Sequence, residues 1–256
     1  MMRRIILISL MIIATAFAIS ALPVLTFAQD APTQDPADPA LAPAPTATTV
    51  EFTPLEVSIS APDGKILYGA YFSKSDTDGR AVLLLHQMYT DHTSWSPLIY
   101  PLMDAGYKVL AVDLRGYGKT RGKLGWTAAQ DDTVAWANWL KTQPGVTSIA
   151  TVGSSMGSTL ALIGCSQIEG CVGAVAISPG LNYYNVYTGD AVQAGFPSLL
   201  IYAENDRYPK EDVPQLKELG GDSVQVQMYE GRQHGIDLFD VYDDLIPFIV
   251  TWIGER

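Results

Sequence analysis

Gly153-Ser154-Ser155-Met156-Gly157 decides how the rest of this chain is read. Ahead of it runs a short apolar stretch, Ser148-Ile149-Ala150-Thr151-Val152, and behind it a helix-like one, Ser158-Thr159-Leu160-Ala161-Leu162-Ile163. A strand, the pattern G-x-S-x-G and a helix in succession predict a turn so tight that its central residue is strained. Small residues two before and two after the centre let strand and helix approach each other. Ser155 then projects from the carboxyl end of a sheet, beside the amino terminus of the following helix. That terminus offers unpaired N–H groups and partial positive charge to an anion forming nearby. In a chain with 22 glycines the same pattern also arises in loops, so the meaning of the motif rests on its flanks.

Outward from the motif, apolar runs and helical patterns alternate. Upstream, Pro54 to Ser60 and Ile66 to Ser73 alternate apolar and polar residues around Ala61-Pro62-Asp63-Gly64, which predicts a hairpin. Ala81 to Leu85 is apolar throughout, as befits a central strand buried on both faces. Helix is expected over Ser94 to Ala105, strand over Lys108 to Val112, and helix over Trp126 to Lys141, stopped before Pro144-Gly145. Downstream, strands are expected over Val172 to Ile177, Pro197 to Tyr202 and Val224 to Tyr229. A helix ends near Leu219, and a last one runs from about Leu238 to Ile253. Strands alternating with helices at this spacing predict an α/β fold with a doubly wound, mostly parallel sheet and an amino-terminal hairpin. Ligands of such sheets sit outside the carboxyl ends of the strands. The loops after residues 85, 112, 152, 177, 202 and 229 are therefore the candidates.

The amino terminus stands apart from this pattern. Arg3 and Arg4 precede an apolar run from Ile5 to Leu25, and Ala28 precedes Gln29. Residues 1–28 read as a secretory signal cleaved after Ala28, a retained membrane anchor being the alternative. Residues 29–50 are rich in Ala, Pro, Asp and Thr, a composition expected of a disordered linker. Residues 51–256 are then one folded domain of an exported protein. The formal charge of the 256 residues is −11, and it becomes −13 without residues 1–28, which carry two arginines and no acid. With no cluster of Lys and Arg, nucleic acid is a poor partner. A membrane partner is expected only if the amino-terminal segment is retained, and oligomeric state is not legible. Cys165 and Cys171, six apart between a helix and a strand, are expected to form a disulfide in an exported protein, two separate thiols being the alternative.

A serine hydroxyl is a weak nucleophile and needs a base, itself held by a third group. Of the three histidines, His86, His92 and His234, only His234 lies in a post-strand loop downstream of Ser155. His86 is expected to brace the loop after residue 85, and His92 to sit at the surface or pack in that loop. The acid is expected between serine and base: Asp206, with Glu204 as its competitor. Asp113 is read as structural, paired with Arg115. Charge developing on a substrate oxygen needs two donors, assigned to the backbone N–H groups of Met156 and Met88. Neither a metal nor an organic cofactor is implied.

Taken together, Leu83-Leu84-Leu85-His86, Asp113 to Gly118, Gly153 to Gly157, Ser178-Pro179-Gly180, Ala203 to Asp206 and His234-Gly235 resemble the α/β-hydrolase superfamily. The likeness is to its dienelactone-hydrolase-like and small carboxylesterase branch, and it spans roughly residues 55 to 254. It implies the α/β-hydrolase fold, Ser155 as nucleophile, Asp206 as acid, His234 as base, and Met88 and Met156 as oxyanion donors. Two departures stand out. The family usually has His-Gly in the oxyanion loop, where this chain has His86-Gln87. Dienelactone hydrolases proper use a cysteine nucleophile, so serine shifts the expectation towards general hydrolysis of small or short-chain esters. Between Pro179 and Phe196 larger relatives insert a lid; here 18 residues predict an open site, with Gln87, Tyr183, Tyr184 and Tyr187 as candidate pocket residues. A peptidase or acyltransferase on the same scaffold is the enzymatic alternative. A catalytically silent binding module is the alternative from another class.

Overall fold

The computed structural model describes residues 53–74 and 79–256. The expected signal segment and linker lie outside the described residues. Eight strands form one sheet: β1 (Leu55–Ser60), β2 (Ile66–Phe72), β3 (Arg80–Leu85), β4 (Lys108–Asp113), β5 (Ser148–Ser154), β6 (Cys171–Ile177), β9 (Ser198–Ala203) and β10 (Val224–Tyr229). Their order is β1-β2-β4-β3-β5-β6-β9-β10, antiparallel through β2 and β4 and parallel from there on. Between β6 and β9 lie a small hairpin, β7 (Asn182–Tyr183) with β8 (Val186–Tyr187), and the short helix α4 (Gly189–Gln193).

Period-two alternation within buried strands feeds two opposite cores. On one face Val82, Leu84, Val109, Ala111, Ala150 and Val152 pack beneath α1 (Ser96–Asp104) and α6 (Leu245–Gly254). On the other, Ala81, Leu83, Leu85, Leu110, Val112 and Ile149 meet α2 (Trp126–Lys141) and α3 (Met156–Gln167). The same face continues to Ala174, Ala176 and Leu200 under α4 and α5 (Pro209–Gly220). β3, β4, β5 and β9 are thereby covered on both sides, which is why their sequences read as continuous apolar runs.

Two elements differ from the sequence expectation. The segment before α1 begins as a 3-10 turn, His92–Trp95, whose amino end is capped by the Asp91 carboxylate accepting from Thr93 N–H at 2.9 Å. The expected last helix is broken: a 3-10 segment, Gly235–Asp240, is followed by a turn before α6 starts at Leu245. Side chains hold that turn open. The Tyr242 ring packs on Tyr229 at 4.4 Å and its hydroxyl donates to the Glu230 carbonyl, while Tyr229 hydroxyl donates to Asp244 at 3.1 Å. The hairpin β7–β8 had no counterpart in the sequence reading, because strands of two residues carry no periodicity. Asn182, Tyr183 and Tyr184 of this hairpin line the cavity over Ser155, while α4 packs on the sheet through Ala191 and Val192.

Cys165, in α3, and Cys171, at the start of β6, are joined as a disulfide with Cα atoms 5.4 Å apart. This bond closes a short connection at the end of the sheet away from Ser155, since α3 begins next to Ser155 and β6 ends beside it.

Candidate active site

Ser155 sits between β5 and α3 with φ +49° and ψ −112°, a backbone conformation uncommon for a residue with a side chain. The glycines around it make that turn sterically feasible. A Cβ at 153 would overlap the backbone of Gly157, and a Cβ at 157 would overlap the carbonyl of Leu85 in the neighbouring strand. Strand β5, helix α3 and the end of β3 thus meet backbone to backbone. The Ser155 amide is tied to the Ile177 carbonyl at 2.8 Å, fixing the turn to β6.

Three loops bring the polar side chains together. His234, at the end of the loop after β10, places Nε2 2.7 Å from Ser155 Oγ. Its Nδ1 lies 2.9 Å from both carboxylate oxygens of Asp206, in the loop after β9. Nδ1–H therefore donates to Asp206 and Nε2 is left to accept from the serine hydroxyl. Asp206 is buried, so its charge must be met by donors. The second donor is Ser178, whose hydroxyl gives to Asp206 Oδ2 at 2.7 Å and accepts from Gly235 N–H at 2.8 Å. Ser178 follows β6 with φ +53°. No sequence signal separates it from other loop serines apart from its place directly after a strand. Glu204, the competing acid, is exposed, and its carboxylate accepts from the side chain of its neighbour Asn205 at 3.0 Å.

The loop after β3 is built around two side chains, His86 and Gln87. His86 is fully buried and its Nε2 accepts from Leu114 N–H at 3.0 Å. Its proton is then on Nδ1, which donates to the Gln87 carbonyl at 2.7 Å. Burial holds this imidazole's pKa below the usual value, so the ring is neutral and joins the loops after β3 and β4. Gln87, at the position where the family usually has glycine, is built into the loop through its carboxamide. Its carboxamide oxygen accepts from Ser154 hydroxyl at 2.8 Å and from Ile236 N–H at 3.2 Å, tying the loop after β3 to β5 and to the segment that follows His234. Met156 is the first residue of α3, so its N–H has no acceptor within the helix. Among the described residues neither its N–H nor that of Met88 donates to a protein acceptor.

Asp113 and Arg115 do not pair, contrary to the sequence reading. Asp113 accepts from His92 N–H and Nδ1, at 3.0 and 2.7 Å, and from Lys119 N–H at 2.7 Å. Arg115 instead joins Asp132 of α2 to Asp63 of the amino-terminal hairpin. Asp91, His92 and Asp113 are spaced as three metal ligands could be, but Asp113 is already occupied by these three donors, which makes the group a hydrogen-bond node.

A cavity of about 920 Å³ opens over Ser155. Gln87, Met88, Tyr183 and Tyr184 line it, together with Tyr89, Asn182, Arg207, Tyr208 and Arg232, which the sequence reading did not single out. Tyr187 lies outside it, its ring packed where a side chain at Gly189 would otherwise stand. The turn at Tyr184-Asn185 separates Tyr187, on β8, from Tyr183 on β7.

A parallel sheet with a strained serine turn after β5, an acid after β9 and a histidine after β10 defines a class of fold, and sequence comparison agrees with it. Residues 80–211, about half of the chain, match the family described as alpha/beta hydrolase fold, and the chain belongs to that family. It is 28% identical over 132 residues to Protein ABHD12B of Homo sapiens, covering 49% of this chain and 35% of that protein. It is 32% identical over 127 residues to the uncharacterized protein MT2364 of Mycobacterium tuberculosis, covering 48% and 45%. The chain thus spans less than half the length of these relatives. Among solved structures, the esterase Pf2001 of Pyrococcus furiosus superposes with a TM-score of 0.70 at 21% identity, over 80% of this chain and 93% of that one. A thermostable carboxyl esterase of Bacillus coagulans does so with a TM-score of 0.68 at 15% identity, over 79% and 98%. At these identities the superpositions establish the shared fold.

Proposed function

We propose that this protein is a serine hydrolase that cleaves carboxylic esters, small or short-chain ones in particular, through an acyl-enzyme on Ser155. The observation that carries the reading is the 2.7 Å separation of Ser155 Oγ and His234 Nε2, with Nδ1 held by a buried Asp206. In the first step Ser155 Oγ bonds to the ester carbonyl carbon while its proton passes to His234 Nε2. The carbonyl electron pair moves onto oxygen, where the Met156 and Met88 N–H groups stabilise it. The tetrahedral intermediate collapses, the bond to the alkoxy oxygen breaks, and His234 returns the proton to the departing alcohol. Water, deprotonated by the same imidazole, then releases the acid and restores Ser155. Asp206 holds the tautomer and stabilises the imidazolium throughout. A single short hairpin beside the cavity leaves the site open, which favours small esters. The esterases among the structural neighbours support the reaction class.

Serine in the place of the cysteine of dienelactone hydrolases supports general ester hydrolysis on that branch of the family. The basic, apolar and small-residue pattern of residues 1–28 supports export. Turnover of p-nitrophenyl acetate by the wild type and by Ser155→Ala tests the reading. The variant is expected to lose at least ~10³-fold in kcat. A fluorophosphonate probe should label Ser155, as mapped by mass spectrometry. Equal turnover by both proteins would remove Ser155 from the mechanism. A folded wild type inert towards short esters would instead favour a binding module.

A further inference from the structure

Strain in this molecule is concentrated at the cavity. Five non-glycine residues among those described have clearly positive φ, and four of them, Tyr89, Ser155, Ser178 and Tyr184, line it. Ser155 and Ser178 are accounted for by the hydrogen-bond network around His234. Tyr184 (φ +48°) and Asn185 (φ +64°) make the two-residue turn of the β7–β8 hairpin, which needs positive φ at both positions, and Tyr89 (φ +63°) lies in the loop after β3. Tyr184 occupies the first turn position of the β7–β8 hairpin, where Asn or Gly is the unstrained choice. The strain presents aromatic rings to the cavity: Tyr89 is 88% exposed and Tyr184 64%.

The Tyr184 ring belongs to a built wall, and Tyr89 lines the same cavity. Tyr184 stacks on Trp126 at 5.3 Å with planes 9° apart. Tyr183 meets Trp126 edge-on at 4.7 Å and Tyr184 at 4.8 Å, and its hydroxyl contacts Met88 Sδ in the oxyanion loop. Burial, and then the nearby hydroxyls of Tyr184, Tyr117 and Tyr89, push the Tyr183 phenol up to about 12. Tyr89, Tyr183 and Tyr184 all line the cavity. One face of Tyr184 is covered by Trp126, and a flat group on the substrate can extend the stack.

We propose that this wall is an aromatic subsite, and that the ester accepted at Ser155 carries an aryl ring seated against Tyr184 and Tyr89. The proposal rests on the esterase reading above and adds its substrate class. An aliphatic chain gains only apolar contact from such a wall, whereas an aryl ring gains the offset or edge-on geometry that aromatic pairs prefer.

The test compares esters that differ only in the flatness of a ring. The full-length protein is assayed on methyl 3-phenylpropanoate against methyl 3-cyclohexylpropanoate, and on 2-phenylethyl acetate against 2-cyclohexylethyl acetate. Methyl butanoate and 6-O-acetyl methyl glucoside complete the set. The expected result is a kcat/KM about tenfold higher for the phenyl member of at least one pair. Tyr184→Asn and Tyr89→Asn, which remove a ring and suit a left-handed backbone, should each bring that ratio to within about twofold of unity. Tyr89→Asn keeps the test in force if Tyr184→Asn does not fold. Ratios near one for both pairs in the wild type, with methyl butanoate hydrolysed, overturn the aromatic subsite and leave the esterase standing. Preference for the glucoside acetate over 2-phenylethyl acetate overturns it in favour of a sugar ring. No hydrolysis of any ester by folded protein overturns both readings.

Discussion

The carboxamide oxygen of Gln87 stands where a Cβ at position 235 would be. Gly235 has φ +62°, and a side chain there would overlap Gln87 Oε1 and crowd Ser154 Oγ, two atoms that are hydrogen-bonded to each other. A residue that departs from the family pattern is thus matched by a glycine nearly 150 positions away, next to His234.

From this pairing, Gly235→Ala should displace His234 and lower kcat on p-nitrophenyl acetate by about 10²-fold. Strain and overpacking together should cost ~1–3 kcal/mol in urea unfolding. Gln87→Gly in the same chain should recover part of both losses, because it vacates the space. Strictly additive losses in the double variant would show that the two sites are uncoupled.

Ser178→Ala removes the second donor to Asp206 and leaves Gly235 N–H without its acceptor. Stability should fall by ~1–3 kcal/mol. With His234 less firmly oriented, kcat should fall about tenfold while KM stays near its wild-type value. A change confined to KM would place Ser178 in substrate binding instead.

Gly157→Ala tests the backbone contact beneath Ser155. The added methyl would meet the carbonyls of Leu85 and His86, neither of which can swing aside. The variant should lose more than ~3 kcal/mol or fail to accumulate as folded protein, read by circular dichroism and urea unfolding. A fully stable Gly157→Ala would mean that β3 and α3 are not in backbone contact.

The disulfide should matter for stability and not for turnover. Replacing Cys165 and Cys171 by alanine opens a short loop, for which the chain-entropy model gives roughly 2 kcal/mol. The melting temperature should fall accordingly, with kcat unaltered because the bond lies at the far end of α3 from Ser155. A large loss of kcat at unchanged stability would contradict this.

His92 titrates against Asp113. The Asp113 hydrogen bond raises the imidazole pKa above 6.5, so the folded protein holds this proton more tightly than the unfolded chain. The resulting stability is fully present below pH 6.5 and is lost as pH rises through the folded pKa. His92→Gln keeps a donor near Asp113 without titrating. The stability difference between wild type and His92→Gln should shift against the wild type between about pH 6 and pH 8. The same difference at both ends of that range would exclude the linkage.

Much of this was legible in the chain. Continuous apolar runs at β3, β4 and β9 identified strands covered on both faces, because a parallel sheet leaves no polar side to mark. Ser155, Asp206 and His234, which the structure brings within hydrogen-bond distance of one another, were each singled out from the residue type that follows a strand. Ser178, Tyr89 and Trp126 were not, since a serine beside a carboxylate and a ring at a cavity wall have no sequence period. Tyr187 was grouped with Tyr183 and Tyr184 because a turn with two residues at positive φ cannot be read where neither is glycine. Asp113 and Arg115 are two apart and would share a side in a continuing strand, but β4 ends at Asp113 and the chain turns at Arg115, so their side chains part towards His92 and towards Asp132.

The sequence by itself determined the order of strands and helices, the turn at Ser155 and the loops able to carry an acid and a base, because those depend on local periodicity and on glycine spacing. Only the tertiary structure decided what surrounds them. The acceptor role of Gln87, the bridge of Ser178 between Asp206 and Gly235, and the tyrosine wall built on Trp126 all join residues distant in the chain. Hydrogen bonds and ring contacts of that kind exist only once β3, β6, β9 and β10 are stacked side by side, with their carboxyl ends in register.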